Sequence, residues 1–514
     1  MGRCFIKKGV FIKNAMLLTA TSLLLRFAGI IFKVWLSGKI GSEGIGLYQV
    51  IFSFYVLAST FATSGISTAV TRLCAEEIAK DKPQNCKKIL RCSLLLTLII
   101  AVISAAIIIF GSEFIGTKIL GDSRTVLSLR ILPLSLPFIG ASSVFRGYFI
   151  AKRKILPNSF GQIIEQTARI IIIVSFINLF YPKGIAACCF GIIFGDALAE
   201  IFGFLLLLLS YFVETRTLKG QKTEKLGGLL GKIIHISLPI TSGRYLNSLL
   251  RTGENILVPK NLAKFKLSSQ NALSQFGMIK GMALPILFFP SAILNSVSTL
   301  LIPEISEAVT KQNRHAIKAA AEKIIKLTLL CGLICGSIFF VGGEKIGLLI
   351  YKNGDVGYLI KALSPIVPLM YLDSICDGIL KGLDQQSFTF KTAVSDSAIR
   401  LILILIILPK MGIKGFILIM YFSNLYTCIL NVGRLIKISK AKISFFNDLF
   451  VPLTSAFSVC FITNTVISLL NLQNNLVYII FLTGVSTAFY IGILLYLEVI
   501  PRKTVKMLKN NTRF

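Results

Sequence analysis

The sequence predicts an all-α polytopic membrane protein with about 14 transmembrane helices, built as two repeated six-helix lobes plus two extra C-terminal helices. Three observations lead there. The 514 residues are 54% hydrophobic and only 15% charged, a balance that a soluble chain of this length does not keep. Apolar runs of about 20 residues, enough to cross the hydrocarbon core as a helix, follow one another with short polar breaks. A fixed offset of 231 residues also lays one half of the chain on the other.

In chain order the predicted spans are residues 14–37, 45–71, 92–110, 126–149, 159–180, 185–212, 233–258, 276–302, 322–342, 358–380, 389–408, 413–435, 449–470 and 477–498. Arg3, Lys7, Lys8 and Lys13 precede the first of them, and no small-residue cleavage site follows. That pattern predicts a retained first helix, not a removed signal peptide. The remaining segments are placed by their Lys and Arg content. In the connecting segments these residues fall about three to one on the side that carries the N-terminus. The richest segments, Arg72–Arg91, Arg216–Lys232 and the tail from Arg502, all lie there. Basic loops mark the cytoplasmic side. The chain is therefore expected in the plasma membrane with both termini cytoplasmic.

The offset of 231 is kept over three spans. Ser67 and Thr68 fall on Ser298 and Thr299, Glu76 on Glu307, Gly111 and Glu113 on Gly342 and Glu344, and Ile115-Gly116 on Ile346-Gly347. Pro137 falls on Pro368, Gly147 on Gly378, Arg130 on Lys361 and Arg169 on Arg400. Span one pairs with span seven in the same orientation, as in a parallel repeat about an axis along the membrane normal. The domains expected are an N-lobe over 1–213, a C-lobe over 214–436, and spans thirteen and fourteen with a basic tail over 437–514.

Charges inside the spans point to function, because each costs about 2.5–3.5 kcal/mol at mid-bilayer on insertion scales. Glu165 and Arg169 share one helix face four residues apart, as do Asp396 and Arg400, and these are expected to be structural ion pairs. Asp196 and Glu200, and likewise Asp373 and Asp377, are acidic pairs with the same spacing and are candidates for coupling to a proton or cation. Arg26, Lys33, Arg244 and Lys280 have no acid within a helical turn, and Arg251 has Glu254 three residues on. Arg26 and Lys33 are seven residues apart and so share a face, and the same holds for Arg244 and Arg251. Two repeat-related helices thus each carry a cationic stripe. Aimed at one central cavity, the stripes would hold an anionic ligand, for which the arginine fork is suited to phosphate. Arg26, Lys33, Arg244, Arg251 and Lys280 are the expected substrate-binding residues.

Other classes fit less well. The net charge of +32 could suggest nucleic acid, but the basic residues are scattered over short loops and form no contiguous basic face. The eleven Cys lie mostly in apolar runs, among them Cys188, Cys189, Cys331 and Cys335, and read as small buried hydrophobes. The two His show no metal-ligand spacing with them. Without a Gly-rich phosphate loop or a metal cluster, neither an enzyme nor a cofactor is expected.

The segment RFAGIIFKVWLSGKIGSEGIGLYQV, Arg26–Val50, resembles the first two spans of the stage V sporulation protein B family. These proteins stand with the polysaccharide exporters in the multidrug/oligosaccharidyl-lipid/polysaccharide flippase superfamily. GMALPILFFPSAILNSVSTLLIPEISEA, Gly281–Ala308, is the more specific match, and the resemblance covers nearly the whole chain. It implies a flippase for a lipid-linked cell-wall precursor, in sporulating bacteria peptidoglycan for the spore cortex. It also implies that cavity arginines engage the diphosphate-sugar headgroup. Arg26 and Gly29 match the family's first-span R-x-x-G pattern. Lys33 stands where relatives often carry arginine, so it keeps the charge without the fork. The expected partners are an anionic lipid-linked saccharide, membrane lipids and cell-wall synthases, with no nucleic acid. Two alternatives stay open: a cation-coupled multidrug exporter of the same superfamily, which would need an acidic, aromatic cavity, and a non-transporting scaffold for wall synthesis.

Overall fold

The computed structural model describes residues 8–63, 65, 66–216, 228–265, 268–295, 305, 313–470 and 474–499. Every regular element among them is helical. The first compact unit, residues 1–277, holds α1 (Lys8–Thr63), α2 (Ile66–Ala79), α3 (Cys86–Phe114), α4 (Val126–Ile131), α5 (Leu136–Ala151), α6 (Leu156–Phe180), α7 (Ile185–Thr215), α8 (Leu229–Lys264) and α9 (Ser269–Gly277). The second, residues 278–514, holds α10 (Leu284–Phe288), α11 (Arg314–Tyr351), α12 (Gly354–Leu363), α13 (Val367–Gly382), α14 (Gln386–Ser439), α15 (Val451–Leu469) and α16 (Asn475–Tyr496).

Ten helices among the described residues are long and apolar enough to cross a membrane. Two of them are too long for one crossing. The stretch Ala20–Ala79 has 60 residues, ~90 Å at 1.5 Å per residue, against a hydrocarbon core of about 30 Å. The chain turns at Gly41, where φ is 69° and ψ 178°, a conformation that only glycine adopts without strain. Gln386–Ser439 turns in the same way at Gly412. Nine of the fourteen predicted spans lie within these ten helices, and three more, 14–37, 449–470 and 477–498, overlap them. Span seven is α8, 36 residues that include Pro239, Arg244, Arg251 and Pro259. Span eight lies partly outside the described residues, as do Ser298, Thr299 and Glu307. The chain is a multi-pass membrane protein, and its outward faces show it: on α3, Leu95, Val102, Ile107 and Phe110 are exposed, and on α16, Leu476, Ile480 and Phe489.

In the first unit the core joins Val70 and Leu73 of α2, Ile89 of α3, Phe145 and Phe149 of α5, Leu207 of α7 and Ile233 of α8. Helix α8 opens the second sequence repeat but is tied to α1. Thr252 Oγ1 donates to the Ser53 carbonyl (3.1 Å), Asn255 Nδ2 to Ser53 Oγ (2.9 Å) and Tyr245 OH to the Phe61 carbonyl (3.1 Å). Tyr245 also stacks on Phe61 with ring centres 4.0 Å apart. The compact unit therefore runs to Gly277, beyond the repeat boundary at 213.

The two units show the same local devices at the 231 offset. Asp122 Oδ1 accepts from the Arg124 amide, and Asn353 Oδ1 from the Asp355 amide, each at a helix start. Short 3-10 segments at Leu132–Ser135 and Ser364–Ile366 lead into α5 and α13, each with a proline at its first turn. In the second unit α15 and α16 pack on α11 through Leu330, Leu333, Ile338, Cys460, Tyr478 and Leu482.

Candidate functional site

The cationic stripes fall on α1 and α8, both in the first unit. Arg26, Lys33, Arg244 and Arg251 all lie on helix, and all four side chains are exposed. Among the described residues none of them meets a carboxylate within ion-pair distance; Arg251 does not bridge to Glu254, which is itself buried at 5% exposure. Lys280 is half-buried in the second unit, on the one-turn π-helix Met278–Ala283. Such turns inside helices are common at functional positions.

Arg146, Arg169 and Arg400, by contrast, are held by carboxylates. Arg169 on α6 sits at the centre of a buried network. Its Nη2 bridges to Glu165 Oε1 at 2.9 Å and to Glu200 Oε1 at 3.1 Å, its Nε to Asp196 Oδ1 at 2.9 Å, and its Nη1 donates to Gln166 Oε1 at 2.8 Å. Arg146 on α5 takes the other oxygen of Glu165 at 2.7 Å, and Tyr55 OH donates to Glu200 at 3.4 Å. The sequence suggests why these groups meet. Gly203 on α7 lets α6 come so close that a Cβ there would lie 3.0 Å from Glu165 Oε2. Asp196 and Glu200, two turns and one turn earlier on α7, then reach the same guanidinium. With all groups ionised, three carboxylates face two guanidiniums, and Asp196 Oδ2 has no hydrogen-bond partner among the described residues.

In the second unit Arg400 pairs with Asp396, whose other oxygen accepts from Ser423 Oγ at 2.6 Å. Asp377 is bridged by Lys381 at 2.6 Å. Asp373 differs. It accepts from Asn431 Nδ2 at 2.8 Å and has no ion pair among the described residues. Asn431 is 4% exposed, and its Oδ1 is unpartnered. Of the four acids expected to couple an ion, two are thus held by Arg169 and one by Lys381, leaving Asp373 beside an unpaired amide oxygen. No group of three or more His, Cys, Asp or Glu among the described residues could hold a metal.

Arg146 and Tyr55 are the members that spacing along the chain could not find, since both reach the network from other helices. One sign was available in the repeat: Arg146 falls on Asp377 and Glu200 on Asn431 at the 231 offset, so the same positions carry polar groups in both halves.

Comparison with known proteins agrees with this architecture. The model of the polysaccharide biosynthesis protein family matches residues 11–309. Stage V sporulation protein B of Bacillus subtilis (strain 168) is 28% identical, with 84% of each chain covered. Lipid II flippase MurJ of the same organism is 22% identical, with 79% of each chain covered. Among solved structures, a lipid II flippase MurJ in its inward closed conformation is similar with a TM-score of 0.68 at 16% identity, covering 95% of this chain and 99% of that one. At that identity the likeness concerns the fold.

Proposed function

The chain belongs to the polysaccharide biosynthesis protein family, and from that premise we propose that it is a flippase. Its cargo is an anionic saccharide linked to a polyprenyl diphosphate, carried across the plasma membrane by alternating access around a cavity lined by cations. The observation that carries the reading is the set of four exposed cations, Arg26, Lys33, Arg244 and Arg251, on α1 and α8 without carboxylate partners among the described residues. Facing hydrocarbon they would each cost about 2.5–3.5 kcal/mol. Facing water they cost little and attract a diphosphate. Lys280, on the π-helical turn of the second unit, is proposed as a further substrate-binding cation.

The names of the relatives suggest a peptidoglycan precursor of the lipid II type, moved during sporulation. The reading contains no catalytic step. Cell-wall synthases, which would make or use the cargo, are its expected neighbours. Basic loops support cytoplasmic termini. For coupling, Asp373 with Asn431 is the preferred acid, because it lacks a compensating cation among the described residues.

The test is binding and translocation of a fluorescent polyprenyl-diphosphate saccharide by purified protein in liposomes. Hydrogen bonds to charged groups contribute about 1.5–3 kcal/mol each, so Arg26→Ala/Arg244→Ala should weaken binding by about two orders of magnitude or more and abolish flipping. Asp373→Asn should bind the lipid normally and lose the response to an imposed ion gradient. A folded double variant that flips at the wild-type rate would sink the proposal and favour the scaffold or drug-exporter reading.

A further inference from the structure

The first unit contains a polar cavity of about 350 Å³ that the cationic stripes do not explain. That volume lies in the range of small-molecule sites, about 300–1,000 Å³. It opens where α1 turns at Gly41 and where α9 begins, and its rim includes Ile40 and Ile185.

Its walls are held rigidly. Gly46 and Gly277, mates at the 231 offset, face each other across a helix crossing. A Cβ at Gly46 would lie 2.0 Å from the Leu273 carbonyl oxygen, and one at Gly277 would lie 2.1 Å from that of Ser42. Ser42 Oγ and Ser274 Oγ are hydrogen-bonded at 2.6 Å beside this crossing. The acid in the lining, Glu43, is tied down: its Oε1 accepts from Arg124 Nη1 at 2.7 Å, and Arg124 is clamped in turn by Asp122, so two carboxylates share one guanidinium. Two amides complete the lining. The side chains of Gln270 and Asn271 are exposed and make no hydrogen bond among the described residues.

Each feature restricts the ligand. Among the described residues the lining contains no Lys or Arg to hold a phosphate, and its one carboxylate is tied to Arg124. Two free amides, each donor and acceptor, and the second oxygen of Glu43 match groups that both give and take hydrogen bonds. Ile40 and Ile185 offer apolar surface to a ring's C–H face. Together these specify an uncharged, hydroxyl-rich ring. The α1 turn lies on the side that the count of basic residues places outside the cell.

We propose that this cavity is an outer-face saccharide subsite, which holds the sugar of the cargo through Gln270, Asn271 and Glu43 after the diphosphate has crossed. The subsite rests on the flippase reading for its physiological role, but its sugar binding can be measured alone. The experiment is saturation-transfer NMR with the soluble disaccharide N,N′-diacetylchitobiose and full-length protein in lipid nanodiscs. Sodium diphosphate, competing against it, serves as the charged control. Wild type and Arg26→Ala/Arg244→Ala should saturate the sugar ring protons equally, and diphosphate should not compete. Gln270→Ala/Asn271→Ala, and separately Asn271→Trp, which fills the cavity from an exposed position, should reduce the transfer at least about tenfold with unchanged melting temperature. Transfer that persists in both variants, is absent from wild type, or is displaced by diphosphate overturns the subsite. Sugar binding that depends on Gln270 and Asn271 in a protein that flips no lipid would keep the subsite and remove the flippase reading. Flipping without sugar binding would do the reverse.

Discussion

Two arginines inside helices of this protein meet opposite ends. Arg169 is surrounded by Glu165, Asp196 and Glu200, while Arg26 meets no carboxylate among the described residues. The difference follows from what each neighbouring helix offers. A buried guanidinium is tolerable only if its desolvation is offset by paired charges, and removing one partner of such a set costs about 3–5 kcal/mol. Arg169→Leu should therefore destabilise the protein strongly, since it strands three carboxylates, and adding Glu200→Gln should recover part of the loss. Arg26→Leu should change stability by less than about 0.5 kcal/mol, as expected for an exposed side chain outside any network. Thermal unfolding of the detergent-purified variants measures all three, and an Arg169→Leu protein as stable as wild type would show that the network contributes nothing to the fold. Substrate binding should respond in the opposite order, with Arg26 the sensitive position.

At the scale of elements, glycines decide which helices can touch. The crossing of α9 over the second half of α1 brings backbone onto backbone at Gly46 and Gly277, with no room for a methyl group. Alanine at either position must push the helices apart, an overpacking that costs typically 1–3 kcal/mol. Gly433 on α14 has open space around its missing Cβ. Alanine there should be neutral or stabilising by up to about 1 kcal/mol, the intrinsic helix preference. Comparing the melting temperatures of Gly46→Ala, Gly277→Ala and Gly433→Ala separates the two effects; equal values for all three would contradict the close crossing. The reciprocal contact also gives the repeat a physical meaning. Residues 42 and 46 meet residues 273 and 277, each pair 231 apart, so the two copies meet through the same surface.

For the molecule as a whole the open variable is direction. The flippase reading needs the saccharide subsite outside and the basic loops inside. A fluorescent protein fused after Phe514 should fluoresce, and alkaline phosphatase fused there should be inactive, because fluorescent protein matures in the cytoplasm and phosphatase folds outside it. Phosphatase inserted at Lys183, between α6 and α7, should be active. The reversed pattern would invert the topology and place the proposed subsite on the inner face. The compact units, 1–277 and 278–514, do not follow the repeat boundary, because α8 is bonded to α1 through Ser53 and Phe61.

The helical membrane class, the positions of most spans, the repeat and the i,i+4 pairs at Glu165–Arg169 and Asp396–Arg400 could all be read from the chain. They depend on hydropathy and on spacing along one helix, and both are local properties. The stripe cations could also be named, since lacking an acid within a turn is a feature of the sequence itself. What tertiary structure decided is which charges are spent. Asp196 and Glu200 look like Asp373 in the sequence, yet α7 carries the first two onto Arg169, and Asp373 meets Asn431 instead. Arg146, the Arg124–Glu43 bridge and the cavity beside Gly41 join residues from separate helices. No periodicity encodes such meetings, because each depends on how closely two helices pack, and that distance is set by side chains far apart in the chain.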